Sequence, residues 1–209
     1  MFKFVHAWQP GDTWEPLAAD GFAGIEVGGP AIPELPAGAA VIGRRHATSG
    51  DDLAEGGAYV IVPPEHGPAA EAGVRLRGAA CRTDPARLLV PNDGAFTTPL
   101  ALWTLLEAAR HPSVRIALDA AVAHSNGQRA AVLVPTLNLR IGVVRVEAID
   151  DELADYARRL AGIGFDGYVV TDPPAGVDRA AASVAIAAAF RAVLPPIKPV
   201  KKVPAKVAR

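Results

Sequence analysis

Apolar and polar positions along this chain alternate between two periods. Short, nearly unbroken apolar runs recur at Lys3 to Trp8, Phe22 to Val27, Ala39 to Arg44, Ala58 to Val62, Leu88 to Val90, Val114 to Leu118, Leu139 to Val146 and Gly167 to Asp172, the last ending in an acid. Runs of this length, rich in Val, Ile and Leu, predict strands buried on both faces. Between several of them the apolar spacing lengthens to that of a helix. Trp14, Leu17 and Ala18 follow Gly11-Asp12-Thr13, where Asp12 or Thr13 offers a cap and Glu15 suits the first turn. Leu102, Leu105, Leu106 and Ala109 follow Thr97-Thr98-Pro99, a Thr cap with Pro at the first helical position. Leu153, Tyr156, Ala157 and Leu160 follow Asp150-Asp151 and stop at Gly162 and Gly164. An Ala-rich helix is predicted from Ala180 to Leu194, ended by Pro195-Pro196.

The earlier connections read as stunted. Pro30 to Gly38 is Pro-rich, Thr48 to Gly57 is short, and Pro68 to Gly73 allows at most a short helix, with Val74 to Ala79 readable as a strand. After the stretch Val114 to His124, a loop is read at Asn126-Gly127, before the strand that starts at Leu139. Eight strands alternating with helices predict a (β/α)8 TIM barrel with shortened helices in the N-terminal half. An open doubly wound sheet is the alternative, although no Gly-x-Gly-x-x-Gly or P-loop follows a strand. The barrel is assigned to residues 1–196. The remaining 197–209, with five basic residues and no acid, are expected to form a disordered basic Pro/Lys tail.

Composition narrows the function classes. With 50% hydrophobic and 21% charged residues, a large core is expected. A net charge of −1 gives no overall attraction to nucleic acid or to an anionic membrane. Cys81 is the single cysteine, which excludes an intrachain disulfide and a thiolate zinc cluster and fits a reducing, cytoplasmic setting. No run approaches the roughly 18 apolar residues of a membrane span, and Met1 to Trp8 reads as a first strand rather than a signal peptide.

Barrel sites are built at the C-terminal ends of strands. The polar residues placed there are Trp8, Glu26, His46, Glu65, His66, Asn92, Asp119, His124, Arg145 and Asp172. Structural uses compete with ligand binding at each: Trp8 as packing, Glu26 paired with Arg44 or Arg45, Arg145 bridged to Asp172. Asp119 ends the strand Val114 to Leu118 and is the strongest candidate.

Four stretches together resemble the xylose isomerase-like barrels, the sugar phosphate isomerase/epimerase superfamily that also includes endonuclease IV. They are Gly21-Phe-Ala-Gly-Ile-Glu-Val27, His111-Pro-Ser-Val-Arg-Ile-Ala-Leu-Asp119, Leu137-Asn-Leu-Arg-Ile-Gly-Val-Val-Arg-Val146 and Leu160-Ala-Gly-Ile-Gly-Phe-Asp-Gly-Tyr-Val-Val-Thr-Asp172. The resemblance implies a sugar (phosphate) isomerase or epimerase acting on a small polyhydroxy carbonyl compound. It implies one divalent metal (Mn, Mg, Co or Zn) held by Asp119 and Asp172, with His46 or Glu26 assisting. Asp172 and Glu26 would move the proton, and Trp8, His46, Asn92 and Arg145 would bind substrate. Two family ligands are replaced: the strand-five Glu by Val90 and the strand-seven His by Arg145. The alternative is therefore a catalytically inactive barrel that binds a carbohydrate or a protein partner. The expected partner is a small sugar-like molecule, with no membrane and no nucleic acid; a homo-oligomer is left open.

Overall fold

A computed structural model describes residues 2–29, 34–45, 57–63, 67–81 and 87–193. Its strands are β1 (Lys3–Ala7), β2 (Gly24–Gly28), β3 (Val41–Arg45), β4 (Tyr59–Ile61), β5 (Arg87–Pro91), β6 (Val114–Asp119), β7 (Ile141–Val146) and β8 (Tyr168–Thr171). Each pairs in parallel with the next. β8 pairs with β1 through Lys3 and Tyr168, Phe4 and Val169, Val5 and Val170, and His6 and Thr171. The sheet is thus a closed (β/α)8 barrel in chain order, and the open doubly wound alternative falls.

Side chains alternate along every strand, and the two rows have different fates. One row points outward under the helices: Phe4, Ile25, Val27, Val60, Leu88, Val90, Ile116, Leu118, Val144 and Val169 belong to the outer core. The other fills the lumen with Val5, Ala7, Tyr59, Ile61, Leu89, Ala117, Val143 and Val170. Gly43 belongs to the lumen because a Cβ there would stand 2.1 Å from the Tyr59 ring.

The helices are α1 (Glu15–Ala19), α2 (Ala69–Ala80), α3 (Pro99–Ala109), α4 (Ala120–Ser125), α5 (Ala130–Leu137), α6 (Leu153–Gly162) and α7 (Arg179–Ala192). Thr98 caps α3 through the Ala101 amide, as its sequence predicts. Asp150 accepts from the Glu152 and Leu153 amides at the start of α6. Two expectations are corrected and one is extended. The segment 68–79 is one twelve-residue helix, α2, and not a short turn followed by a strand. Its Ala72, Leu76, Ala79 and Ala80 bury one face, and Gly73 lies where a Cβ would be 2.4 Å from Ala108 of α3. The loop at Asn126-Gly127 is a short turn between two helices, α4 and α5, that the sequence pattern does not predict. Asp12 does not cap α1, which starts at Glu15 with Trp14 in the cap position and no side-chain cap; the Asp12 carboxylate is used elsewhere. The segment 197–209 lies outside the described residues, as do His46, Glu65 and His66.

Candidate site at the barrel mouth

The lumen-facing row ends, at the C-terminal rim, in charged residues. Arg145 of β7 is the hub. Its Nη2 donates to Glu26 Oε1, its Nη1 donates to Asp172 Oδ2 at 2.5 Å, and its Nε lies 3.8 Å from Asp119 Oδ2. From the layer below, the Tyr59 hydroxyl donates to the other Glu26 oxygen at 2.9 Å. Side-chain exposure is 6% for Arg145, 3% for Glu26, 13% for Asp119 and 22% for Asp172, so only the two aspartates present an edge to solvent. Burial by itself would lower the Arg145 pKa, but the Glu26 and Asp172 carboxylates outweigh it and hold it above its ordinary value. Burial, then the Glu26 charge, raises Tyr59 well above a free phenol.

Each carboxylate is also fixed from behind. Asp119 Oδ1 accepts from the Ala121 and Val122 amides and so caps α4. The Asn92 side chain grips the Asp119 backbone like a short strand, Oδ1 accepting from its amide at 2.6 Å and Nδ2 donating to its carbonyl at 3.0 Å. Asn92 is therefore a clamp between the ends of β5 and β6. Asp172 Oδ1 accepts from Arg179 Nη2 at 3.2 Å. Arg179 also donates to the Ala7 carbonyl and to Asp12. Behind it, Thr171 donates to Ser183 Oγ at 2.8 Å, Ser183 Oγ lies 2.8 Å from His6 Nδ1, and His6 Nε2 lies 2.8 Å from Asp12 Oδ2. With the Ser183 proton aimed at Nδ1, the chain closes with a neutral His6 donating through Nε2. Burial drives the His6 pKa below its usual 6.5, against the pull of Asp12.

The space between Arg45, Ile61, Pro91, Ala117, Asp119 and Arg145 is about 10 Å³, room for about one water. Arg45 is exposed at this rim with Asp93 and Glu147 near it. Burial raises the pKa of Asp93, and burial together with the Asp119 and Asp172 charges raises that of Glu147.

Among the described residues the donor set does not fit a divalent ion. The carboxylates expected to hold one are turned toward a guanidinium, a cation without lone pairs. Among the described residues no three His, Cys, Asp or Glu side chains are grouped for metal binding. The other candidates are dispersed. Trp8 continues the outward row beyond His6, its ring 6.2 Å from and edge-on to the imidazole. His124 is exposed on α4. Val90 also faces outward, so the lumen-facing residue at the end of β5 is Pro91, and neither can ligate. Glu26 pairs with Arg145 and Tyr59 rather than with Arg44 or Arg45. Tyr59, Asp12, His6 and Arg179 were not singled out from sequence. The available signals were a His inside an apolar strand and an Arg opening an Ala-rich helix.

No family model matches this chain, and no curated protein matches it either. Solved structures do. A 3-keto-D-glucoside 4-epimerase from E. coli is 18% identical, with a TM-score of 0.68 over 92% of this chain and 100% of that one. An L-ribulose 3-epimerase is 11% identical, with a TM-score of 0.73 over 93% and 95%. An AP endonuclease of family 2 from Brucella melitensis is 15% identical, with a TM-score of 0.64 over 86% and 96%. These are neighbours of the kind the sequence resemblance names. At such identities they establish the shared barrel, which serves both sugar enzymes and a nuclease.

Proposed function

We propose that the solvent-facing rim of the barrel mouth, outside the one-water gap, binds a small, uncharged polyhydroxy compound of the sugar class, and that it does so without turning the ligand over. The observation that carries this is the placement of Arg145 between Glu26 and Asp172, with Asp119 close by. Asp119 and Asp172 keep exposed edges that can accept from ligand hydroxyls, held in place by the Arg145 and Arg179 guanidinia behind them. Glu26 is only 3% exposed, with its oxygens engaged by Arg145 and Tyr59, and unlike the part-exposed Asp172 it presents no edge to a ligand. A base for epimerisation needs an oxygen within reach of the proton it removes. The described rim sets Asp93, Asp119, Glu147 and Asp172 beside Arg45, so a phosphate group would meet a predominantly negative field. The sugar-processing neighbours supply the ligand class.

The test is a calorimetric and NMR titration with unphosphorylated ketohexoses and their phosphates, in D2O, with and without Mn²⁺ or Co²⁺. Saturable binding of a neutral sugar is expected, with weaker or no binding of its phosphate. No deuterium should enter the sugar carbon skeleton, and the metals should give no gain in melting temperature. Tighter binding of the phosphates, or no binding of any neutral sugar, would sink the reading.

A second reading keeps the isomerase or epimerase activity, with Asp172 and Glu26 as its acid–base pair. It is favoured by one observation: both carboxylates reach the same guanidinium, so a ligand displacing Arg145 would lie between them. Deuterium incorporation that Asp172→Asn abolishes would establish it.

A further inference from the structure

The opposite, N-terminal face of the barrel holds an open groove of about 620 Å³, lined by Glu107, Arg110, His111, Arg115, Leu139 and Arg140 among others. Its volume is in the range of small-molecule sites, unlike the one-water gap at the mouth. Its charge is of the opposite kind. Arg140 pairs with Glu107 at 3.1 Å and stands over the exposed Trp103 ring at 5.5 Å. Arg115 shares Asp166 with Arg87. Arg110 makes no ion pair with a described residue. Three guanidinia, of Arg110, Arg115 and Arg140, thus line the groove with one carboxylate, Glu107. The Ser113 amide donates to His111 Nδ1 at 3.3 Å, which leaves Nε2–H of the neutral ring as a further donor.

The backbone supplies an independent observation. Among the described residues only Arg110 (φ 46°) and Asn138 (φ 46°) are non-glycine residues with positive φ; the first lines this groove and the second immediately precedes its Leu139 and Arg140. Arg110 ends α3 in the left-handed conformation that helix ends usually give to Gly. Asn138 turns the chain into Leu139 and Arg140. Unfavourable backbone conformations of this kind cluster where a ligand is held.

We infer that this groove is a binding site for a small phosphate-type oxyanion: the guanidinia of Arg110 and Arg140, with Arg115 and His111 Nε2–H, take the anionic oxygens, and Leu139 walls the organic part. Planar guanidinium groups suit such oxygens in paired hydrogen bonds.

The experiment titrates the full chain with inorganic pyrophosphate and with phenyl phosphate by calorimetry, at low and at physiological salt. Wild type should bind both saturably, more weakly as salt rises. Arg110→Gly is the informative variant, because glycine relieves the left-handed backbone. It should melt no lower than wild type and bind each probe at least about tenfold more weakly, since one charged pair is lost. Arg140→Gln should do the same to binding, while Arg158→Ala, an exposed cation outside the groove, should leave it unchanged. Absence of saturable binding by wild type, or wild-type affinity retained by both Arg110→Gly and Arg140→Gln, would overturn the inference.

Discussion

At the scale of single residues, the mouth is governed by one guanidinium. Arg145 and Glu26 are both buried, and removing the cation leaves a carboxylate in the lumen with a phenol as its remaining donor. Breaking a buried pair from one side typically costs about 3–5 kcal/mol, whereas replacing both partners by apolar groups is often near neutral. Arg145→Met is therefore expected to lower the urea midpoint by that order, and the double variant Glu26→Leu with Arg145→Met to lose less than the single. A strictly additive loss in the double variant, by equilibrium unfolding, would show that the two charges are uncoupled. The Arg145–Asp172 bridge was legible in the sequence, because both residues close apolar runs of adjacent strands. The Glu26–Tyr59 contact was not. The two lie 33 residues apart, and Tyr59 reads as ordinary strand filling until its hydroxyl is located.

At the scale of elements, strands were easier to read than helices, for a physical reason. A strand buried on both faces must be apolar throughout, so β6 and β7 stand out wherever they fall. A helix needs only one apolar stripe, and in α2 that stripe is built from Ala, Gly and one Leu. The Val74-Arg-Leu-Arg77 alternation inside it mimics a strand. Only the close seat of Gly73 on Ala108 of α3 accounts for so small a face. Between β3 and β4 the same economy acts across strands. Gly43 has no side chain because the Tyr59 ring occupies that space, and the ring must lie there for its hydroxyl to reach Glu26. Gly43→Ala should therefore cost about 1–3 kcal/mol by overpacking. It should also alter the near-ultraviolet circular dichroism of the tyrosine, and an unchanged spectrum with unchanged stability would contradict this packing.

At the scale of the whole molecule, a net charge near zero hides a polarity. Carboxylates gather at the C-terminal rim and arginines at the opposite face, so the two candidate sites select for different ligands. A second long-range device joins the ends of the chain. His6 bonds to Asp12 and to Ser183, 177 residues away, and Arg179 and Asp172 act on it electrostatically. Its folded pKa lies below 6.5. The unfolded chain therefore takes up the proton first, and the stability owed to neutral His6 is complete above about pH 6.5 and is lost as pH falls through the folded pKa. Comparing urea midpoints of wild type and His6→Gln from pH 8 to pH 5, the difference should be constant above neutrality and shrink on acidification. A difference that grows on acidification would reverse the assignment. The same closure has a meaning for synthesis. β1 emerges before the other barrel strands, yet one of its two neighbours, β8, is the last strand of the barrel to be made. At roughly 5–20 residues per second, one edge of β1 waits on the order of ten to thirty seconds for its partner on the ribosome. Throughout that interval the nascent chain carries an open strand edge able to pair with another copy, and the arrival of β8 and α7 both closes the barrel and removes that hazard.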